Sequence, residues 1–227
     1  KADIVVFSFN RPLQLFAFFE SVKTHVKNVG TVFVLYRATN GSFQEGYSKV
    51  QQHFCDAVFV QQRNKKAHKY FKPLLCDIVA NKAMQQHIAF AVDDIIVCDT
   101  IDLNNCIEHL EKWNVTGFYL RLGCNISEDY FAADKARKTP LPTFKVVAPD
   151  VLQWEFSKGH PAYWNYPHTV DMTVFRKSYA LAAVQSLNYR APNTFEVQWS
   201  KVSPNTPYGL CYTHSKTINI PLNVVQS

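Results

Sequence analysis

The stretch IAFAVDDIIVCD, residues 88–99, carries the strongest structural signal in the chain. Its first half is an apolar run typical of a strand that is buried on both faces of a sheet. Because an unpaired carboxylate is costly to bury, we expect Asp93 and Asp94 at the end of this strand, facing a crevice. Two acids in that position either bind a divalent metal or cap the next turn, and their spacing leaves both interpretations open.

Strands and helices alternate on both sides of this stretch, up to about residue 122. Apolar runs predict strands at residues 3–9, 31–36, 57–60, 88–92 and 117–122. The alternation predicts an α/β fold with a mostly parallel central sheet flanked by helices, and ligands bind such sheets at the carboxyl ends of the strands. The sequence contains neither GxGxxG nor GxxxxGK(S/T), so neither a dinucleotide fingerprint nor a P-loop is indicated.

The strand ends expected at this edge carry polar, aromatic and cationic side chains. Besides the two acids they include Phe9, Asn10, Arg11, Tyr36 and Arg37. The candidate phosphate ligands are Arg11, Arg37, Lys72 and Arg121. For Arg37, Lys72 and Arg121 a surface ion pair is at least as well supported, whereas Arg11 follows the first strand and is the stronger candidate. The rings of Phe9 and Tyr36 are candidates for stacking on a nucleotide base.

The second half of the chain is less regular, with five prolines between residues 125 and 168. Trp154 and Trp164 lie in this segment and either line a ligand pocket or form a buried cluster under a long loop. A strand is predicted at residues 169–175, with Asp171 in its interior. An acid in an apolar strand indicates either a functional site or a buried pair with an arginine or backbone amides.

Composition excludes several classes of protein. Hydrophobic residues make up 47% of the 227 residues, enough for a substantial core, and the net charge of +6 without a recognition motif argues against nucleic-acid binding. No apolar run reaches the roughly 18 residues of a membrane span, although the basic cluster at residues 63–69 permits contact with a membrane surface. The six dispersed cysteines, with no CxxC, favour a reducing compartment, and we expect a cytoplasmic protein.

Residues 1–125 resemble glycosyltransferases of the GT-A fold, in the manner of the family 2 enzymes. The resemblance rests on VVFSFNRP at residues 5–12, on the helix that follows, and on AVDD at residues 91–94. It implies a nucleotide-sugar donor (a UDP- or GDP-sugar), a glycan or other hydroxyl acceptor, and Mn²⁺ or Mg²⁺. In that family the acids form a DxD motif, whose first position is Val92 here. By this resemblance Asp94 is the metal ligand, and Asp93 contacts the ribose or a phosphate.

The same resemblance implies roles for three residues of the second half. An inverting transfer requires a general base, for which Asp171 is the first candidate and Glu196 the second. Glu196 lies near a predicted helix start, where an acid is favourable for structural reasons alone. His214 follows a late strand, where several GT-A enzymes place a metal ligand, and a structural histidine is the alternative.

We therefore expect a single GT-A-like (Rossmann-like) domain over residues 1–227. Residues 1–125 would bind the nucleotide sugar, and residues 126–227, with a mixed sheet, would bind the acceptor and catalyse transfer. The expected function is a metal-assisted glycosyltransferase. The alternatives are a non-catalytic nucleotide or carbohydrate binder with a degenerate site, favoured by Val92, and a sugar nucleotidyltransferase.

Overall fold

The two halves of the chain contribute strands to one central sheet. The computed structural model describes residues 1–63, 70–126, 128–129, 137–138, 140–157 and 162–220. The strands in these residues are β1 (Ala2–Phe9), β2 (Val26–Lys27), β3 (Val29–Arg37), β4 (Val58–Gln61), β5 (His87–Val92), β6 (Ile95–Val97), β7 (Ile101–Asp102), β8 (Phe118–Tyr119), β9 (Glu128–Asp129), β10 (Arg137–Lys138), β11 (Lys145–Ala148), β12 (Val151–Glu155), β13 (Thr173–Arg176), β14 (Tyr208–Tyr212) and β15 (Thr217–Asn219). Within the described residues nine of them form the sheet, in the order β11-β12-β14-β8-β13-β5-β1-β3-β4.

Six α-helices occur in the same described residues. They are α1 (Pro12–His25), α2 (Gly41–His53), α3 (Phe71–Asp77), α4 (Leu103–Trp113), α5 (Lys177–Ser186) and α6 (Pro192–Trp199). A π-helical turn, Ile78–Lys82, continues α3, and a 3-10 turn covers Ala162–Asn165. In the part of the chain that the structure describes, none of the helices has the length and apolar character needed to cross a membrane.

The strands β4, β3, β1 and β5 run parallel, as the alternating sequence pattern predicts. Alternate residues of β1 point to opposite faces, so Ile4 and Val6 pack in one apolar cluster and Val5 and Phe7 in another. The first cluster includes side chains of α1, α2 and α4, and the second includes side chains of α3, α5 and α6. The sheet is therefore covered by helices on both faces, which accounts for its continuous apolar runs.

The second half extends this sheet with mixed strand directions. β13 is antiparallel to both β5 and β8, so β8 runs in the same direction as β5, and β14 is parallel to β8. β12 and β11 follow as antiparallel strands. The α/β class, the mostly parallel first half and the mixed second half are confirmed.

Two predicted strands are shorter than the sequence suggests. The strand predicted at residues 169–175 begins only at Thr173, because Met172 has a left-handed backbone with φ of 50° that interrupts the extended chain. Asp171 is therefore outside the strand, which corrects the prediction that it lies in the interior. The strand predicted at 117–122 covers only Phe118–Tyr119, and Arg121 lies in the turn after it.

The two tryptophans proposed for a ligand pocket belong to the core. Trp154 and Trp164 are 1% and 0% exposed, and the indole N–H of Trp154 donates to the backbone oxygen of Trp164 at 2.9 Å. Their rings pack edge to face in a cluster with Tyr119. The buried-cluster interpretation is therefore correct for both residues. Most of the basic cluster, residues 64–69, lies outside the described residues.

Candidate functional site at the carboxyl edge of the sheet

The directions of the strands bring residues from both halves of the chain to one edge of the sheet. β1, β3, β5, β8 and β14 all run the same way, so the residues after their last positions share that edge. Backbone hydrogen bonds hold the ends of these strands together. The N–H of Asn10, directly after β1, donates to the backbone oxygen of Arg37 in β3, and the N–H of Asp93, directly after β5, donates to that of Phe7 in β1. Charged residues distant in sequence thus face a common crevice.

Asp93 is a buried carboxylate with polar partners on both oxygens. The Ser8 hydroxyl donates to its Oδ2 at 2.7 Å, and Arg11 Nη1 donates to its Oδ1 at 3.2 Å. Behind Ser8 lies the hydroxyl of Tyr47, on α2, at 2.6 Å. Burial raises the pKa of Asp93 to about 6, although the Ser8 hydrogen bond and the Arg11 charge oppose that shift.

Asp94 shares the same arginine. Arg11 Nη1 donates to Asp94 Oδ2 at 2.9 Å, so a single nitrogen bridges the two acids. The backbone N–H of Arg11 donates to the Tyr47 hydroxyl at 3.1 Å, and α1 begins at Pro12 immediately afterwards. The backbone oxygen of Asp94 accepts a hydrogen bond from Ile220 at 2.7 Å. The guanidinium is therefore positioned by the start of α1 as well as by the acids.

Asn10 shapes the loop beside this pair. Its backbone is left-handed, with φ of 56°, and its side chain exchanges two hydrogen bonds of 2.9 Å with the backbone and hydroxyl of Thr39. Asparagine tolerates that backbone conformation better than most residues do. These contacts give Asn10 a structural role in addition to its position at the site.

The aromatic candidates for base stacking differ in access. The Arg37 guanidinium lies 5.0 Å above the centre of the Phe9 ring, and both side chains are only partly buried. Tyr36, in contrast, is 5% exposed, and its ring packs against that of Tyr47 at 4.4 Å. Phe9 is thus the more accessible ring at this edge, and Tyr36 is buried.

Two other candidates, Lys72 and His214, differ in their surroundings. Lys72, on α3, donates to the backbone oxygen of Leu187 at 2.7 Å and lies over the Tyr189 ring at 5.6 Å. His214 is exposed in the loop between β14 and β15. Among the described residues, no three side chains of His, Cys, Asp or Glu are grouped closely enough to hold a metal ion.

A second charged cluster lies at the same edge, where β8 and β13 meet. Arg121 Nε is 3.4 Å from Asp171 Oδ2, and the Asn219 amide donates to Asp171 Oδ1 at 3.3 Å. The Arg121 guanidinium also lies 4.9 Å from the centre of the Tyr163 ring. About a fifth of the Asp171 side chain is exposed, so this carboxylate can reach a bound molecule.

Glu196 supports this cluster from α6. Its Oε1 accepts a hydrogen bond of 3.0 Å from the backbone N–H of Val170, next to Asp171. Burial and then the neighbouring Asp171 charge raise the pKa of Glu196 to about 7. The structure therefore brings the two candidate bases together, with Glu196 holding the loop that carries Asp171.

The last described residues link the two clusters. β15 pairs with β6, so that Asn219 lies opposite Ile95, directly after the acids. Asn219 reaches Asp171 with its side chain, while the neighbouring Ile220 N–H reaches the Asp94 backbone. A cavity of about 180 Å³ opens beside the acids. Its lining residues are Leu13, Gln14, Ala17, Asp93, Asp94, Ile96 and Ile220.

Two residues of this site were not identified from the sequence. Ser8 lies within residues 8–11, which the sequence places at the end of the first strand. Tyr47 and Asn219 gave no signal, because their partners are 39 and 48 residues away in the chain.

Comparison with known proteins rests on structure alone. No protein-family model and no curated protein sequence matches the chain. The structure of S. aureus TarS in complex with UDP aligns over 93% of this chain and 60% of that chain, with a TM-score of 0.56 and 11% identity. A second TarS structure aligns over 95% of this chain and 37% of that one, with a TM-score of 0.51 and 12% identity. TarS is a glycosyltransferase. The fold is the GT-A-like glycosyltransferase fold.

The chain spans at most 60% of the length of these solved chains.

The GT-A resemblance also implies a divalent metal bound by Asp93 or Asp94. The side chains around these acids show whether such a metal fits. Such a metal would bind carboxylate oxygens of Asp93 or Asp94. Those oxygens already accept hydrogen bonds from Arg11 and Ser8, and the cavity lining adds no further acid. With Arg11 in this position the residues do not fit a metal site.

Proposed function

We propose that the chain is the catalytic domain of a glycosyltransferase, which moves a sugar from a nucleotide-sugar donor to a hydroxyl acceptor. One observation carries the proposal: two charged clusters, Arg11 with Asp93 and Asp94, and Arg121 with Asp171, lie at one edge of a GT-A-like sheet. TarS was solved in complex with UDP, which supports a nucleotide as a ligand of this fold. Residues 1–125 would bind the donor and residues 126–227 the acceptor.

On the donor side, Arg11 would contact the diphosphate. A guanidinium offers several N–H donors in one plane, which match phosphate oxygens. The partly exposed pair of Phe9 and Arg37 would receive the base, since it combines an open ring with a cation. Asp93 and Asp94 would hold Arg11 in place and accept hydrogen bonds from donor hydroxyls. UDP- and GDP-sugars are the proposed donors.

On the acceptor side, Asp171 would act as the general base. It would take the proton from the acceptor hydroxyl as that oxygen forms a bond to the anomeric carbon. The bond from this carbon to the diphosphate oxygen breaks, and the nucleoside diphosphate leaves with the electron pair. Arg11 would stabilise the negative charge that develops on the leaving group. Glu196 would position the base by holding the backbone N–H of Val170.

A thermal-shift panel tests this proposal directly. UDP, GDP, CDP, ATP and the corresponding UDP- and GDP-sugars are added to the wild type, each with Mn²⁺ and with EDTA. We expect selective stabilisation by uridine or guanosine diphosphate compounds, because a ligand that binds only the folded state raises its melting temperature. Asp94→Ala should abolish the shift. Asp77→Ala is the matched control, since Asp77 is a partly exposed acid at the end of α3 that pairs with Lys82.

The absence of a nucleotide response under every metal condition would contradict the proposal. Stabilisation by all nucleotides alike, including ATP, would also contradict it, because it would indicate general phosphate binding. Nucleotide binding without release of sugar in the presence of glycan acceptors would favour the alternative of a non-catalytic binder. That alternative is supported by Val92 at the position of the first DxD acid.

A further inference from the structure

A cation of the protein itself lies between Asp93 and Asp94. Arg11 Nη1 is 2.9 Å from Asp94 Oδ2 and 3.2 Å from Asp93 Oδ1. The side chains of Arg11, Asp93 and Asp94 are only 12%, 5% and 12% exposed. A divalent metal would use the same carboxylate oxygens, because Mg²⁺ and Mn²⁺ prefer oxygen ligands. A guanidinium also pairs with carboxylate oxygens. The arginine and a metal are therefore alternative occupants of one position.

Several contacts fix the arginine in that position. Its backbone N–H donates to the Tyr47 hydroxyl, and Leu15 in the first turn of α1 donates to its backbone oxygen. The remaining oxygen of Asp93 is taken by the Ser8 hydroxyl. Moving the guanidinium away would leave two nearly buried carboxylates without their cation, and a buried charge without a partner is strongly unfavourable. A metal would have to compensate for that loss before it bound with any net gain.

We propose that Arg11 is the resident cation of the Asp93 and Asp94 pair and excludes divalent metal from it. The diphosphate of a donor would then meet a guanidinium rather than a metal ion, and this consequence alone rests on the proposed function. The occupancy of the acid pair is a property of the chain without any nucleotide.

Titration with Mn²⁺ in the absence of nucleotide tests the inference, with free Mn²⁺ followed by electron paramagnetic resonance. The wild type is compared with Arg11→Met, which removes the guanidinium and keeps a long side chain. The matched control is Arg37→Met, because Arg37 lies at the same edge but stacks on Phe9 instead of contacting the acids. The double variant Arg11→Met with Asp94→Asn then removes a carboxylate from the vacated position.

We expect Mn²⁺ to bind Arg11→Met at least about tenfold more tightly than the wild type, since the competing cation is gone. Arg37→Met and the double variant should bind as weakly as the wild type. Equal affinity of the wild type and a folded Arg11→Met would overturn the inference, whether both bind tightly or both bind weakly. Circular dichroism establishes whether the variants are folded.

A measurement on the wild type keeps the test decisive if Arg11→Met does not fold. Paramagnetic broadening of backbone amide signals reports where Mn²⁺ binds. Weak broadening spread over exposed acids supports the inference, and selective broadening at residues 93–95 with low Mn²⁺ contradicts it. Failure of the proposed function would appear separately, as the absence of nucleotide binding, because neither Mn²⁺ experiment contains nucleotide.

Discussion

Asp171 and Glu196 lie in one cluster, but their surroundings suit them to different tasks. Asp171 is partly exposed and paired with Arg121, so an acceptor hydroxyl can reach its carboxylate. Glu196 accepts a hydrogen bond from the loop that carries Asp171, and burial is the main cause of its raised pKa. The first would exchange a proton with the substrate, and the second would position the first.

Replacement of the proposed base separates catalysis from binding. Asp171→Asn keeps the shape and the contact with Asn219 but removes proton acceptance, so we expect turnover to fall about 10²- to 10⁴-fold. Binding of the nucleotide should be unchanged, because the donor cluster does not include this residue. Turnover is measured as release of nucleoside diphosphate, and binding by calorimetry. Turnover like that of the wild type would exclude Asp171 as the base.

The raised pKa of Glu196 predicts a pH dependence of stability. Its pKa is about 7 in the folded protein against 4.5 as the ordinary value, so the folded state retains a proton that the unfolded state releases. Stability due to this group is therefore complete below about pH 4.5 and declines as the pH rises to about 7. The decline in the free energy of unfolding amounts to about 3 kcal/mol at most. Glu196→Gln should remove it, because glutamine does not titrate.

Urea denaturation of both proteins between pH 4.5 and 8 measures this difference. We expect Glu196→Gln to gain stability relative to the wild type as the pH rises, with most of the change completed near pH 7. The contribution of Asp93, whose pKa is also raised, is common to both proteins and cancels. A stability difference that is constant with pH would show that Glu196 does not titrate in this range.

Among the helices and strands, α2 and β15 connect elements that the sequence separates. α2 supplies the Tyr47 hydroxyl, which contacts both Ser8 and the backbone of Arg11. β15 brings Asn219 to Asp171 and is followed by Ile220, whose N–H reaches Asp94. The cluster of Arg11, Asp93 and Asp94 is thus supported by α2, and the end of the described chain links it to the cluster of Arg121 and Asp171.

The support from α2 can be measured with a conservative change. Tyr47→Phe removes a buried hydroxyl and leaves the Arg11 N–H without this acceptor, so we expect a loss of about 1–2 kcal/mol in the free energy of unfolding. Tyr208→Phe is the control, because Tyr208 is 40% exposed and its change should be close to neutral. Urea denaturation gives both values, and equal stability of the two variants would contradict the assigned role of Tyr47.

The sequence predicts the parallel half well, because β1, β3 and β5 are apolar runs that end at or near a charged residue. The second half depends on features with no local signature. The left-handed backbone of Met172 and the turn at Arg121 end strands that continue as apolar patterns in the sequence. The contact of Arg11 with the acids joins positions more than 80 residues apart, and only the folded sheet reveals it.

At the scale of the complete fold, the directions of the strands determine which residues share one edge of the sheet. The parallel strands deliver Arg11, Asp93 and Asp94 to one edge, and the reversal at β13 returns β8 to the same direction and places Arg121 and Asp171 beside them. One edge of one sheet thus holds both the proposed donor site and the carboxylate proposed as the general base. A transfer reaction requires both groups within reach of a single substrate pair.

A crystal structure of the protein with UDP tests the central proposal most directly. The proposal predicts the diphosphate within hydrogen-bonding distance of the Arg11 guanidinium and the uracil beside Phe9 and Arg37. The terminal phosphate should point toward Asp171. UDP bound at another surface, with this sheet edge left empty, would contradict it.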